Sequence, residues 1–332
     1  MIKIWINHKY KILFWSFIKI KTGIKRSFIK VKTGIRRFFD FEQSNGKLVA
    51  ILVIPTVILV IGVVAYPLIY SFVMSFGNVE FADIKNYNFV GFLQYFKVFT
   101  DPEFINSLQI SARFVFFTIL VKLIFGTLVA LMLKEKFIGR SITRALIIIP
   151  WATPLVVVGL MWKWMLHSKV GVINFILERL GIIQAYIPFL SEKKFALPFV
   201  ILADVWQSTP FFIIIILAGL QTIPDDLYEA ANMDGAGGIR SFFAITLPLI
   251  KFPLFISTIL GTILAINAFD LFFVLTKGGP GNVTTSATLF DWNNAFKFYH
   301  LSYASAISYV ILAISMLITI GYVVMMRRRD TE

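Results

Sequence analysis

Polar side chains stranded within long apolar runs are the residues of this chain with chemistry to offer. Asp204, Trp206, Gln207 and Ser208 lie beside Pro210 in one such run, and Asn267 and Asp270 lie in another. Trp151 sits between Pro150 and Pro154 in a third, and Lys122 interrupts a fourth. In hydrocarbon such groups are costly unless they face a cavity or a neighbouring helix. Flat aromatic faces stack on a solute's C–H surfaces, and amides and carboxylates bond its hydroxyls. Trp151, Trp206, Gln207 and Asn267 are residues of those types, and interhelical hydrogen bonding is the competing use of each. Lys122 can pair with Asp204 or with Asp270, and the sequence leaves that choice open. Arg113 lies close enough to the end of its run to snorkel. Other chemistries are excluded. With no cysteine there is no disulfide, thiolate metal site or cysteine nucleophile. His8, His167 and His300 are far apart and belong to no metal-ligand motif. No Gly-x-x-x-x-Gly-Lys-Ser/Thr loop is present to cradle a nucleotide's phosphates.

A second set of residues forms a polar island between two apolar blocks. It reads Gln221-Thr-Ile-Pro-Asp-Asp-Leu-Tyr-Glu-Ala-Ala-Asn-Met-Asp-Gly-Ala236. This has the marks of a short capped helix. Thr222 is the expected N-cap, Pro224 suits the first turn, Asp225 and Asp226 complement the positive end of the dipole, and Gly235 can close the helix in a left-handed conformation. Ala230 and Ala231 leave one flank without bulk, so another protein surface can approach the backbone. A second helical stretch near 238–246 leads through Leu247-Pro248 back into apolar sequence. An amphipathic connector resting on a bilayer is the alternative reading.

The elements that must position these residues follow from composition. The 332 residues are 58% hydrophobic with a mean hydropathy of +0.80, more apolar surface than a soluble domain of this size can hide. Six segments, 48–76, 108–133, 142–166, 196–220, 252–275 and 303–326, are long enough to cross a hydrocarbon core of about 30 Å. Backbone groups in lipid must be satisfied within the segment, so all six are expected to be α-helices in an all-α polytopic membrane protein. Lys and Arg set the orientation. The N-terminal arm, the residues Lys134, Lys136, Arg140 and Arg144 between spans two and three, and the terminal Arg327-Arg328-Arg329 all fall on one side. Both termini and the loop 221–251 are therefore expected in the cytoplasm, with 77–107, 167–195 and 277–302 outside. A net charge of +14 suggests nucleic acid in a soluble protein; clustered at span ends, it reports membrane topology instead and gives no nucleic-acid partner.

Three regions follow: a basic arm (1–47), a transmembrane domain (48–326) and a basic tail (327–332). The arm carries a tandem repeat, Ile18-Lys-Ile-Lys-Thr-Gly-Ile-Lys-Arg-Ser-Phe28 followed by Ile29-Lys-Val-Lys-Thr-Gly-Ile-Arg-Arg-Phe-Phe39. Cations mixed with Ile and Phe suit an anionic lipid surface, and a regulatory or partner-binding element is the other reading. No compact apolar core with a small-residue cleavage site marks a signal peptide. Gly278-Gly-Pro-Gly281 reads as a turn at the outer surface.

The spacing Glu229-Ala-Ala-(three residues)-Gly235-(nine residues)-Ile245-x-Leu247-Pro248 resembles the EAA loop of binding-protein-dependent ABC importer permeases, in the sugar-importing, maltose-type branch. The likeness runs from about residue 48 onward. It takes in Ile149-Pro150-Trp151-Ala-Thr-Pro154, Trp206-x-x-x-Pro210 and Leu275-Thr-Lys-Gly-Gly-Pro280, but not the basic arm. The resemblance implies a type I importer permease fold of six transmembrane helices in a prokaryotic cytoplasmic (inner) membrane. It implies that the island is a coupling helix seated in a cleft of an ATP-binding subunit through Glu229, Ala230, Ala231, Asp234 and Gly235. It implies sugar contacts at Trp151, Asp204, Gln207, Ser208 and Asn267. The implied partners are a second, distinct permease, two ATPase subunits that carry the ATP and Mg, and an external solute-binding protein. The chain itself would then be a translocation subunit with no cofactor and no catalytic residue. An ion- or proton-coupled carrier is the alternative. It needs a carboxylate relay, for which Asp204 and Asp270 are available, and usually an internal helix repeat, which is not found.

Overall fold

The computed structural model describes residues 45–79 and 87–329. Most of the basic arm, including its repeat, and the last three residues of the tail lie outside them. Among the described residues the only regular elements are helices. They fall into two compact units, divided between Tyr70 and Ser71. The first unit holds helix Asn45–Leu59, a π-helical segment Val60–Ala65 and the start of helix Tyr66–Ser75.

Four helices are each long and apolar enough to cross a membrane: Leu52–Ser75, Pro102–Lys134, Lys193–Leu220 and Leu301–Met326. Two bent pairs complete six spans when each pair counts as one: Arg140–Ala152 with Leu155–Met165, and Gly238–Leu249 with Lys251–Ile266. The expected number of crossings stands, but spans three and five are broken rather than continuous. Span three bends by 94° at Thr153 and Pro154. Pro154 has no N–H to continue the ladder, and it pushes Thr153 into extended backbone (φ −82°, ψ 130°). The Thr153 hydroxyl donates to the Ile149 carbonyl at 2.9 Å and takes up one of the freed acceptors. Span five is entered through a 64° bend near Ile250. Past Ile266 the helix stops at Asn267, whose amide donates to the Ile263 carbonyl at 2.8 Å, and a six-residue helix, Asp270–Leu275, follows.

The span-two helix begins at Pro102, ahead of the apolar run expected from residue 108. Asp101 accepts from the Glu103 N–H at 2.8 Å, and Pro102 occupies the first turn. Tyr303 on span six donates to the other Asp101 oxygen at 2.6 Å, tying the two helix starts together. Deeper in the bundle, spans two, four and five meet around the fully buried Phe212. A Cβ at Gly126 would come within 3.0 Å of the Phe212 Cβ, and one at Gly261 within 2.4 Å of its ring, so Phe212 packs into space that both glycines vacate. The Gly278–Gly281 turn has an exposed tip at Gly281 and a buried base at Gly278. Gly278 and Thr284–Ser286 are buried, with the Thr284 hydroxyl on the Gly279 carbonyl at 2.7 Å and Thr285 on that of Gly278.

Candidate functional site

The polar island folds as a helix at the end of span four. After Leu220 the chain turns, and the Thr222 hydroxyl donates to the Gly219 carbonyl at 2.8 Å. Thr222 therefore closes the helix behind it instead of N-capping the one ahead, because the next helix begins only at Asp226. Asp225 occupies the N-cap position without a side-chain cap bond, and Asp226 and Glu229 supply negative charge to the first turn. At the other end Gly235 has φ +74°. The Gly235 N–H donates to Asn232 at 3.0 Å and the Ala236 N–H to Ala231 at 2.9 Å, the double closure of a Schellman motif. Open space surrounds the Cα of Gly235, so backbone conformation, not crowding, requires the glycine.

Helix Asp226–Met233 contains no buried residue. Glu229, Ala230, Asp234 and Gly235 are exposed, and Ala231 is half-buried. Two apolar side chains that the sequence reading did not single out project beside them: Met233 is 89% exposed and Ile239 80%. The helix and the segment after it therefore present apolar as well as acidic side chains to the surroundings. The helix is held to the bundle by Tyr228. Its hydroxyl lies 2.9 Å from that of Thr246, in the π-helical segment Phe242–Thr246. The Lys134 ammonium, at the end of span two, stands 4.0 Å from its ring centroid and 3.7 Å from Asp225. Beside Lys134, Arg140 and Arg144 both donate to the Leu133 carbonyl, which pins the start of span three to the end of span two.

Within the bundle the candidate substrate residues separate. Asp204 is buried and paired with Lys122 at 2.5 Å, which settles the partner of Lys122; the ammonium also stands 5.8 Å from the Phe212 ring. Gln207 and Trp151 come together, the Gln207 amide reaching the Trp151 carbonyl at 3.4 Å. The Trp151 ring lies 5.9 Å from that of Phe211 and is 45% exposed. Ser208 turns back onto the Asp204 carbonyl at 2.6 Å. Asn267, exposed at the break in span five, bonds its own helix. Trp162 was not anticipated. Its ring meets Trp206 edge-on at 6.2 Å, and its buried indole N–H has no hydrogen-bond partner among the described residues. Asp291, in helix Ala287–Trp292, was also missed. Burial pushes its carboxyl up to about 7, against the opposing effect of the Ser308 hydroxyl that donates to it. No sequence pattern marks either residue, since both environments are made by distant segments. Among the described residues no cluster of His, Asp and Glu has the makings of a metal site.

Apolar helices of this number and length, two of the spans bent, mark a multi-pass membrane protein. The model of the family described as binding-protein-dependent transport system inner membrane component matches residues 122–330, and the chain belongs to that family. It is thus a multi-pass protein of the inner membrane, as the EAA spacing implied. Among its relatives are the sulfoquinovosyl glycerol transport system permease protein SmoG of Agrobacterium fabrum and the trehalose/maltose transport system permease protein MalF of Thermococcus litoralis. The first is 36% identical, over 87% of this chain and 93% of the relative. The second is 37% identical, over 87% and 97%. A solved bacterial ABC transporter involved in the import of the acidic polysaccharide alginate shares the fold with a TM-score of 0.74 at 21% identity, covering 90% of this chain and 99% of that one.

Proposed function

We propose that this chain is the translocation subunit of an ATP-driven saccharide importer, coupled to a separate ATPase through helix Asp226–Met233. The observation that carries the proposal is that helix itself: closed by a Schellman motif at its C-terminus, without a buried residue, with Met233 exposed at its end and Ile239 exposed beyond it. Its Glu229 carboxylate is free to pair with a cation on the partner, Ala230 and Ala231 let that partner approach the backbone, and Asp234 and Gly235 shape the turn behind. With no phosphate-binding loop in the sequence, ATP and Mg belong to two partner subunits on the cytoplasmic side, where the Lys/Arg bias also puts both termini.

The cargo is taken to be a saccharide, in the size range of an oligosaccharide. The relatives named above serve sugar or sugar-derivative systems, and Trp151, Gln207 and Asn267 offer an aromatic face and amides. Ser208 lies one residue beyond Gln207, and Asp204 contributes through its pair with Lys122. An external solute-binding protein delivers the cargo, and a second, distinct permease supplies the other half of the path. A carboxylate-relay carrier is less well served, because Asp204 is neutralised by Lys122.

The test is to substitute the coupling helix in the assembled transporter. Glu229→Lys and Gly235→Asp are expected to insert normally and to retain ATP hydrolysis while uptake falls by tenfold or more, roughly the loss of one charge-assisted contact. Uptake at the wild-type rate in both variants would overturn the assignment.

A further inference from the structure

A helix that projects from the bundle can transmit force only through what anchors it, and here the anchor is narrow. Within Asp226–Met233 the half-buried side chains are Tyr228 and Ala231, and of these only Tyr228 carries polar contacts to other elements. Those contacts diverge. The phenol oxygen meets Thr246, in the segment leading into span five, while the ring faces the Lys134 ammonium at the end of span two. Lys134 in turn reaches Asp225, at the N-cap of the same helix, closing a loop of contacts. The ring also packs against the core cluster that contains Leu133, Leu220, Ile223 and Ile250.

We propose that Tyr228 is a positioning residue that makes the exposed helix move as one body with the end of span two and the start of span five, its ring held by Lys134 and its hydroxyl by Thr246. This rests on the reading of Asp226–Met233 as the ATPase contact. The physical basis is directional. A cation over a ring face resists lateral sliding without fixing rotation, whereas a hydroxyl–hydroxyl bond fixes rotation about the ring axis. Together they hold position and orientation, which a purely apolar seat would not.

The natural absence of cysteine permits site-specific spin labels. In the fully assembled transporter in nanodiscs, a label at Met233→Cys reports contact with the ATPase. The pair Met233→Cys and Ile138→Cys reports the seat of the helix on the loop after span two; both positions are exposed. With ATP plus vanadate, the pair distance is expected to stay unchanged in the otherwise unsubstituted chain. In Tyr228→Leu it is expected to shift by about one helical turn, roughly 5 Å, as the helix is drawn away. Tyr228→Phe and Thr246→Val, which preserve the packing, should give smaller and equal shifts, with the double variant no larger than either. An unchanged distance in Tyr228→Leu, or additive shifts in the double variant, would overturn the tie. If adding the ATPase subunits fails to immobilise the label at Met233→Cys, the ATPase contact itself is wrong and the tie falls with it. Immobilisation with an unchanged distance in Tyr228→Leu leaves the contact standing and removes the tie alone.

Discussion

Lys122 and Asp204 sit where neither can be left alone. A 2.5 Å pair with both residues buried exchanges the hydration of two charges for one strong interaction, so its value lies in the penalty for breaking it. Asp204→Asn or Lys122→Met is expected to destabilise the chain by about 3 kcal/mol, through the charge left unpaired. Lys122→Met combined with Asp204→Leu should recover most of that loss. Thermal unfolding of the detergent-solubilised chain decides the matter, and single variants that melt like the wild type would show that the pair bears no stability. Both Asp204 and Asp270 were available to Lys122 in the sequence. The break at 267–269 removes Asp270 by placing it in the first turn of its own short helix, where the positive end of the dipole favours a carboxylate. That break depends on how span five packs, and so it could not be read from residue types.

Helix ends carry the information that matters at the next scale. Pro248 and Pro253 frame the bend into span five, and Gly219 at the end of span four gives Pro253 room to approach. A Cβ at Gly219 would lie 2.3 Å from the proline ring. The ring is rigid, so Gly219→Ala should force the two helix ends apart at a cost of about 1–3 kcal/mol. Gly62→Ala, where nothing lies within 4 Å, is the matched control and should be neutral or slightly stabilising. A thermal-shift comparison that fails to separate the two would contradict the close approach. Gly235 was legible from sequence alone because a helix followed by Asp-Gly-Ala calls for a left-handed residue whatever surrounds it. Thr222 was misjudged for the converse reason: a threonine between two helices can serve either, and the start of the second helix at Asp226 assigned it to the first.

For the whole molecule, burial is unequal among the spans of the second unit. In Lys193–Leu220, 61% of the most apolar stretch is buried within the chain, against 11% in Leu301–Met326. Span four is thus the more deeply packed of the two, while span six, buried near its start at Ala306 and Ile307, leaves its most apolar stretch for lipid or further subunits. The basic arm belongs to neither argument. If it serves as a lipid-binding element that aids insertion, deleting residues 1–39 should leave uptake largely intact once the chain is inserted; abolished uptake in a correctly inserted truncation would assign it a role in transport. By itself the sequence determined the solvent of this protein, the number of its crossings and the place of its exposed polar helix. Those depend on local composition, on the rule that lipid-exposed backbone must be satisfied internally, and on the fixed chemistry of caps and turns. Only the tertiary structure decided that spans three and five bend, that Lys122 chose Asp204, and that Tyr228 joins the exposed helix to two spans. Each of those depends on the rotation and depth of one helix against another, and a polar residue in an apolar run carries no record of which neighbour it will face.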